Sequence, residues 1–207
     1  MKKTMLALKI IGIICLSFLL FSCNPLEKNY KSNSFIIIES IVGKDLAGND
    51  STVVFSDVVK VENGQNVFYS DFVTVTLRAA LLDPNPILGV SQYEDIMLTR
   101  YVVSYTRNDG GTAVPSSFEG QLSTLLPVGS SVSIPLVIVR DVAKNQPPLN
   151  ALIGDSSASL QCTARIDFYG HDLRNRDVTQ VGYITILFAD YKDTTTTAGK
   201  GSFIKLK

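Results

Sequence analysis

Between Val73 and Leu81 every second residue is apolar (Val73, Val75, Leu77, Ala79, Leu81), and Thr74, Thr76 and Arg78 fill the gaps. A side-chain period of two sets one face of an extended chain against a core and the other against water, which a helix of 3.6 residues per turn does not do. The alternation returns from Ser131, where Val132, Ile134, Leu136 and Ile138 interleave with Ser133, Pro135 and Val137. It returns again from Ala158, where Leu160, Cys162, Ala164, Ile166 and Phe168 interleave with Gln161, Thr163, Arg165 and Asp167. Further strands are expected at 35–42, 52–61, 96–107, 118–126 and 178–188, all rich in Val, Ile, Thr, Phe and Tyr. Reversals are marked by Gly64, Asp83-Pro84-Asn85-Pro86, Asn108-Asp109-Gly110-Gly111, Pro127-Val128-Gly129 and Gln146-Pro147-Pro148. About seven or eight strands at this spacing, without long crossovers, predict an all-β, antiparallel two-sheet sandwich over 35–191, with a small closed barrel as the alternative. A membrane-spanning barrel would need more strands and a lipid-facing band.

The first residues follow different rules. Met1 to Lys9 carries Lys2, Lys3 and Lys9 and no acid, and Ile10 to Phe21 is apolar apart from Gly12 and Ser17. This is the layout of a secretory signal over 1–22, to be left out of fold reasoning. Twelve apolar residues at about 1.5 Å each reach only about 18 Å, too short to cross a hydrocarbon core of about 30 Å. The signal ends in Leu20-Phe21-Ser22-Cys23, which resembles the lipobox of bacterial lipoproteins at Leu20, Ser22 and Cys23, with Phe21 bulkier than the usual residue. The resemblance implies that Cys23 becomes the first mature residue and carries acyl chains, and several chains anchor firmly where one would be marginal. Asn24 stands where an Asp would retain some lipoproteins in the inner membrane, which favours the outer membrane in a source with two. Residues 23–34 then read as a lipidated polar tether, and 192–207 as a Thr/Gly-rich tail with a short strand at 202–207.

With Cys15 in the signal and Cys23 modified, Cys162 is left without a disulfide partner, so stability is expected from an apolar core alone. Removing residues 1–22 from the 207 leaves 185, with 16 basic residues against 19 acidic and a net charge of −3. No basic cluster offers a surface to nucleic acid.

Catalytic constellations are sparse. A Ser-His-Asp triad would have to use the single histidine, His171, which lies in a polar turn segment, and no G-x-S-x-G occurs. Zinc is as poorly served, with one histidine and no Cys-x-x-Cys, and no phosphate loop is present. Calcium is the best metal candidate: Asp172, Asn175 and Asp177 offer oxygens, with Asp167 upstream, and Asp45, Asn49 and Asp50 do so elsewhere. Arg174 and Arg176 are interleaved with the first set and would compete for its carboxylates. Both sets belong to one echo, G-x-D-L-x-x-x-D-x-T-x-V, at Gly43 to Val54 and Gly170 to Val181. The simpler expectation is two like hairpin turns, with Asp45 and Asp172 accepting backbone N–H groups two residues on. Glu62, Glu94, Glu119, Asp141 and Asp167 are the carboxylates available for glycoside chemistry, and Tyr93, Tyr101 and Tyr105 the rings available to stack a sugar. No cofactor is expected.

The segments Arg100-Tyr101-Val102-Val103-Ser104-Tyr105-Thr106-Arg107, Ala164-Arg165-Ile166-Asp167-Phe168-Tyr169-Gly170 and Gly182-Tyr183-Ile184-Thr185-Ile186-Leu187-Phe188 are similar to strands of immunoglobulin-like and fibronectin-III-like domains. In the first, Met97, Tyr101, Val103 and Tyr105 are expected to share a face. The resemblance, over roughly 35–190, implies a sandwich with an adhesive or scaffolding use and carries no catalytic residues. The expectation is a non-catalytic, lipid-anchored envelope domain that contacts a protein or polymer through loops or an open sheet edge. Calcium or small-ligand binding is the second reading, and an envelope hydrolase acting through carboxylates the third.

Overall fold

A computed structural model describes residues 31–87 and 89–192; the lipobox from Leu20 to Cys23 and the short strand expected at 202–207 lie outside the described residues. Eleven strands run in chain order as β1 Ser34–Lys44, β2 Asp50–Ser51, β3 Val53–Asp57, β4 Lys60–Glu62, β5 Gln65–Val67, β6 Asp71–Leu81, β7 Ile96–Arg107, β8 Phe118–Leu126, β9 Ser131–Val139, β10 Ser159–Asp172 and β11 Asp177–Ala189. One helical turn, α1 Asp141–Lys144, follows β9. Sheet order is β2-β1-β6-β9 in one layer and β3-β11-β10-β7-β8 in the other, with β4-β5 a separate hairpin. All pairs are antiparallel except β3 with β11. The all-β, two-layer expectation holds. The single strand expected at 52–61 is instead broken into β3 and the start of the β4-β5 hairpin, because Val58 and Val59 are buried in succession and interrupt the alternation.

The alternating residues do what their period requires. Val73, Val75, Leu77 and Ala79 of β6 and Leu160, Cys162, Ala164, Ile166 and Phe168 of β10 are all buried between the layers. Tyr101 and Tyr105 of β7 also point inward, and their hydroxyls cross to the opposite layer, donating to the carbonyls of Val137 (3.3 Å) and Ile138 (2.6 Å) on β9. A buried phenol needs such a partner, and here the partner belongs to the other sheet. Along the opposite side of the sandwich Gln180 Nε2 donates to the Ile36 carbonyl at 2.8 Å, linking β11 to β1.

The expected face of β7 needs one correction. Met97 does not share the buried face of Tyr101, Val103 and Tyr105; Ile96 and Leu98 do. Register against β10 slips between Tyr169 and Gly170, which pair with Arg100 and Leu98, so Thr99 is an extra residue. A bulge of one residue reverses the parity of everything on its far side. The Thr99 hydroxyl donates to the Tyr169 carbonyl across it (3.3 Å). Gly170 sits opposite, where a Cβ would collide with the backbone carbonyl oxygen of Met97.

The long strands run between two poles. The near pole gathers Lys31, the β6–β7 loop, the end of β8 and the β10–β11 turn: Leu82 N–H donates to the Asn33 carbonyl (2.8 Å), Leu173 N–H to the Asp95 carbonyl (3.2 Å) and Arg176 to the Lys31 carbonyl (3.1 Å). The far pole holds α1, the β4-β5 hairpin and the ends of β3 and β11, where Asp57 pairs with Ala189. With 13 residues in β11, the axis between the poles is about 43 Å long.

Because backbone rather than a flexible side chain stands over Gly170, Gly170→Ala should lower unfolding stability by about 1–3 kcal/mol. Urea denaturation is the check, and an unchanged midpoint would contradict the bulge geometry.

Candidate functional site

The far pole carries an open cleft of about 1300 Å³, whose walls include Asp45, Phe55, Glu62, Tyr69, Asp71, Lys144 and Tyr191. On its rim Tyr69 donates to Glu62 Oε1 at 2.9 Å, which raises the phenol's pKa because ionising it would put a second negative charge on that bond. Lys60 Nζ lies 5.8 Å from the centre of the Tyr69 ring.

At the base of the cleft is an ion pair between Asp71, the first residue of β6, and Lys144, the last of α1. Lys144 is 1% exposed, although lysine is almost never fully buried unless paired. Its ammonium donates to Asp71 (3.0 Å) and to the Asp57 carbonyl (2.7 Å), and Ser56, itself buried, donates to Asp71 Oδ2 at 2.6 Å. Desolvation raises the Asp71 pKa; the Lys144 charge and the Ser56 hydrogen bond pull against it without overcoming it. Both carboxylate oxygens are engaged, and so is the ammonium. The arrangement therefore clamps α1 and the β3–β4 segment onto β6. Nothing in the sequence singles out Lys144; a lysine after Val142-Ala143 reads by default as solvated.

The echo turns are one structure used twice. Asp45 Oδ1 accepts from the N–H groups of Ala47 (2.9 Å) and Asn49 (2.8 Å), and Asp172 Oδ1 from those of Arg174 (3.0 Å) and Arg176 (2.9 Å). In each turn the aspartate's own N–H donates to the carbonyl four residues on, and a positive φ falls three residues on, at Gly48 (84°) and Asn175 (62°). Asp50 and Asp177 open the strands that follow. The expected bonds to residues two positions on are thus present in both. In the exposed turn these hydrogen bonds, led by that from Asn49 N–H, lower the Asp45 pKa. Asp172 is fully buried, and its Oδ2 has no hydrogen-bond partner. Of the calcium candidates, Asp172 uses Oδ1 in its turn, and Asn175 and Asp177 are exposed. Among the described residues no three His, Cys, Asp or Glu side chains form a group able to hold a metal ion.

The remaining candidates are dispersed. His171 is not in the turn but on the penultimate position of β10, half-buried, its Nδ1 2.9 Å from the Asp172 carbonyl. Glu94 is buried at the near pole with Oε1 3.1 Å from Arg174, while its Oε2 has no partner. Glu119 pairs with Arg100 (3.2 Å) on the outer face of β8. Asp141 accepts weakly from Ser70 (3.5 Å), and Asp167 accepts from Arg165 (2.7 Å) on one strand. Tyr101 and Tyr105 belong to the core, and only Tyr93 of the three stacking candidates is exposed. Of the five glycoside candidates, Glu62 alone lines the cleft. Cys162 is fully buried, and desolvation pushes its thiol up to about 11.

Comparison of the chain with protein-family models, curated proteins and solved structures found no match.

Removing Lys144 alone should leave an uncompensated buried carboxylate and cost about 3–5 kcal/mol. In a double-mutant cycle by urea denaturation, Lys144→Met with Asp71→Leu should cost less than the sum of the single changes. Since the folded-state pKa of Asp71 is already raised, losing the Lys144 charge raises it further. Lys144→Met alone should then regain stability as pH falls through the carboxylate range, where Asp71 becomes neutral in both states. Additive costs would show that the pair is not coupled. Separately, iodoacetamide at pH 8 should label Cys162 only after unfolding, because the thiolate that reacts is scarce and enclosed; labelling of the native protein would contradict that burial.

Proposed function

We propose that the chain is a lipid-anchored, non-catalytic binding or scaffolding domain of the bacterial cell envelope, tethered through acyl groups on Cys23 and facing the periplasm or cell surface. The observation that carries this reading is the polarity of the domain. The chain enters the sandwich at the near pole, close behind the lipobox, and the open polar cleft lies at the far pole, some 43 Å away along the strands. A tether at one end and a recognition surface at the other suit a domain held at a membrane to meet a protein or polymer beyond it.

The immunoglobulin-like assignment is supported by strand order. β1, β6 and β9 correspond to the A, B and E strands of such a sandwich, and β11, β10, β7 and β8 to G, F, C and C′. The conserved tryptophan and inter-sheet disulfide of antibody domains have no counterpart; the inward phenols Tyr101 and Tyr105 occupy the centre of the sandwich on the C-like strand. β8 is the outer strand of its sheet and offers an unpaired edge, a second route to a partner by strand addition. The closed network around Lys144 supports a non-catalytic reading over an envelope hydrolase. The size of the cleft favours, as the alternative, a small polar ligand bound among Glu62, Tyr69 and Lys60.

Two measurements test the proposal. Cys23→Ser should abolish lipid labelling and release the protein into the soluble fraction, and unchanged membrane retention would refute the anchor. A photo-crosslinking residue at Val61, on the cleft wall, should trap a discrete envelope component in intact cells, whereas the same residue at Leu173 on the near pole should not. Equal trapping at both positions would remove the far pole as the recognition face.

A further inference from the structure

We infer that the near pole is itself a membrane-contacting surface, in which the β6–β7 loop inserts apolar side chains at the boundary between lipid headgroups and acyl chains. The inference rests on the lipid anchor proposed at Cys23.

The loop exposes several large apolar side chains. Ile87 is 100% exposed, Leu82 66%, and Val90 and Tyr93 62% each, with Leu173 of the adjoining β10–β11 turn at 41%. Scattered single apolar residues are ordinary on a surface, but a cluster at one tip marks a binding face. These side chains project from a braced base. The start of the loop is hydrogen-bonded to the entering chain, through Leu82 N–H and the Asn33 carbonyl, and Asp95 at its end is bonded to the β10–β11 turn through Leu173 N–H. Asp95 Oδ1 also accepts from Val128 N–H at 2.9 Å.

Chain length selects the occupant. Lys31 belongs to this pole, its carbonyl held by Arg176 at 3.1 Å, and it lies eight residues after Cys23. Eight residues cannot exceed about 29 Å even fully extended, less than the axis of about 43 Å between the poles. A lipid on Cys23 therefore keeps the apolar tip within reach of the bilayer at all times and lets the cleft point away from it. Tyr93 adds an aromatic ring of the kind enriched at membrane interfaces, with the Arg174 guanidinium 6.0 Å from its centre.

Charge shows what kind of contact this is. Lys31, Arg174 and Arg176 are opposed at the same pole by Asp83, Glu94, Asp95 and Asp177, and Arg174 is already paired with Glu94. Such a surface gains little from anionic lipid, so the contact is apolar insertion into a zwitterionic bilayer, reinforcing the covalent anchor and fixing the domain's orientation.

The chain has no tryptophan, so a single indole reports its own surroundings. Ile87→Trp, at a fully exposed site, and Val142→Trp, on α1 at the far pole, would be purified as full-length lipidated proteins and reconstituted in phosphatidylcholine vesicles. Bromine on the lipid acyl chains should quench the indole at position 87 several-fold more than that at position 142, with a blue-shifted emission only at 87. Vesicle flotation is read in parallel. Protein that floats with both positions equally unquenched, or equally quenched, overturns the membrane contact while leaving the anchor standing. Protein that fails to float removes the anchor reading, and the contact falls with it.

Discussion

No disulfide holds the two layers of this sandwich together among the described residues, so their union depends on what their inner faces bury and on the few polar bonds that cross between them. The central contribution is the inward row of β7. Tyr101 and Tyr105 fill the space between the sheets, and their hydroxyls reach carbonyls of β9, the outer strand of the facing layer. Each phenol thus contributes apolar area and one directional bond, and leaving either hydroxyl unsatisfied would cost more than the bond itself contributes. Burial moves the Tyr105 phenol far above its ordinary pKa, as befits a group that must stay neutral where it sits. Gln180 does a smaller version of the same task on the other flank, capping the Ile36 carbonyl. The layers are fixed in register at two sides, and everything at the poles is built on that frame.

The frame explains why the poles differ. At the far pole a charged pair is set into the apolar core: Lys144 and Asp71, with Ser56 and the Asp57 carbonyl, join α1, β6 and β3 next to the buried Val58, Val59 and Val139. A buried pair of this kind adds little net stability against a well-packed apolar alternative, but it specifies which segments meet, because each partner is costly without the other. The result is a firm floor under an open, polar cleft. At the near pole the loop after β6 is anchored at its ends and apolar at its tip. A domain with an open polar cleft at one end and an exposed apolar loop at the other has a built-in direction.

The repeated turn shows how far a local motif carries. Asp45 and Asp172 close the same loop with the same two backbone amides, and glycine or asparagine supplies the left-handed residue at the same offset. The bond to the amide two residues on follows from a short polar side chain next to its own backbone, and it was readable from G-x-D-L-x-x-x-D alone; the second amide and the left-handed residue were not. Yet Asp45 is half-buried and Asp172 fully buried, because the chain entry and the β6–β7 loop are hydrogen-bonded to the second turn.

Strand positions were legible for the same reason as the turns. Alternation is a property of neighbouring residues, and β6 to β9 and β11 fall within a residue or two of where it placed them, while β10 continues past Phe168 to Asp172. The proposed anchor at Cys23 is likewise a sequence reading and owes nothing to the fold. What the sequence could not yield were the features made by distant residues meeting. The Thr99 bulge moves Met97 off the buried face, and it is set by pairing with β10 some seventy residues later. The Asp71–Lys144 pair joins residues 73 apart, and a lysine reads as solvated until the fold encloses it. The cleft has no local signature at all. Period, turn chemistry and the resemblance to a lipobox are encoded within a dozen residues; parity, buried charge and polarity are decided only when the layers close, because only then does each side chain acquire its neighbours.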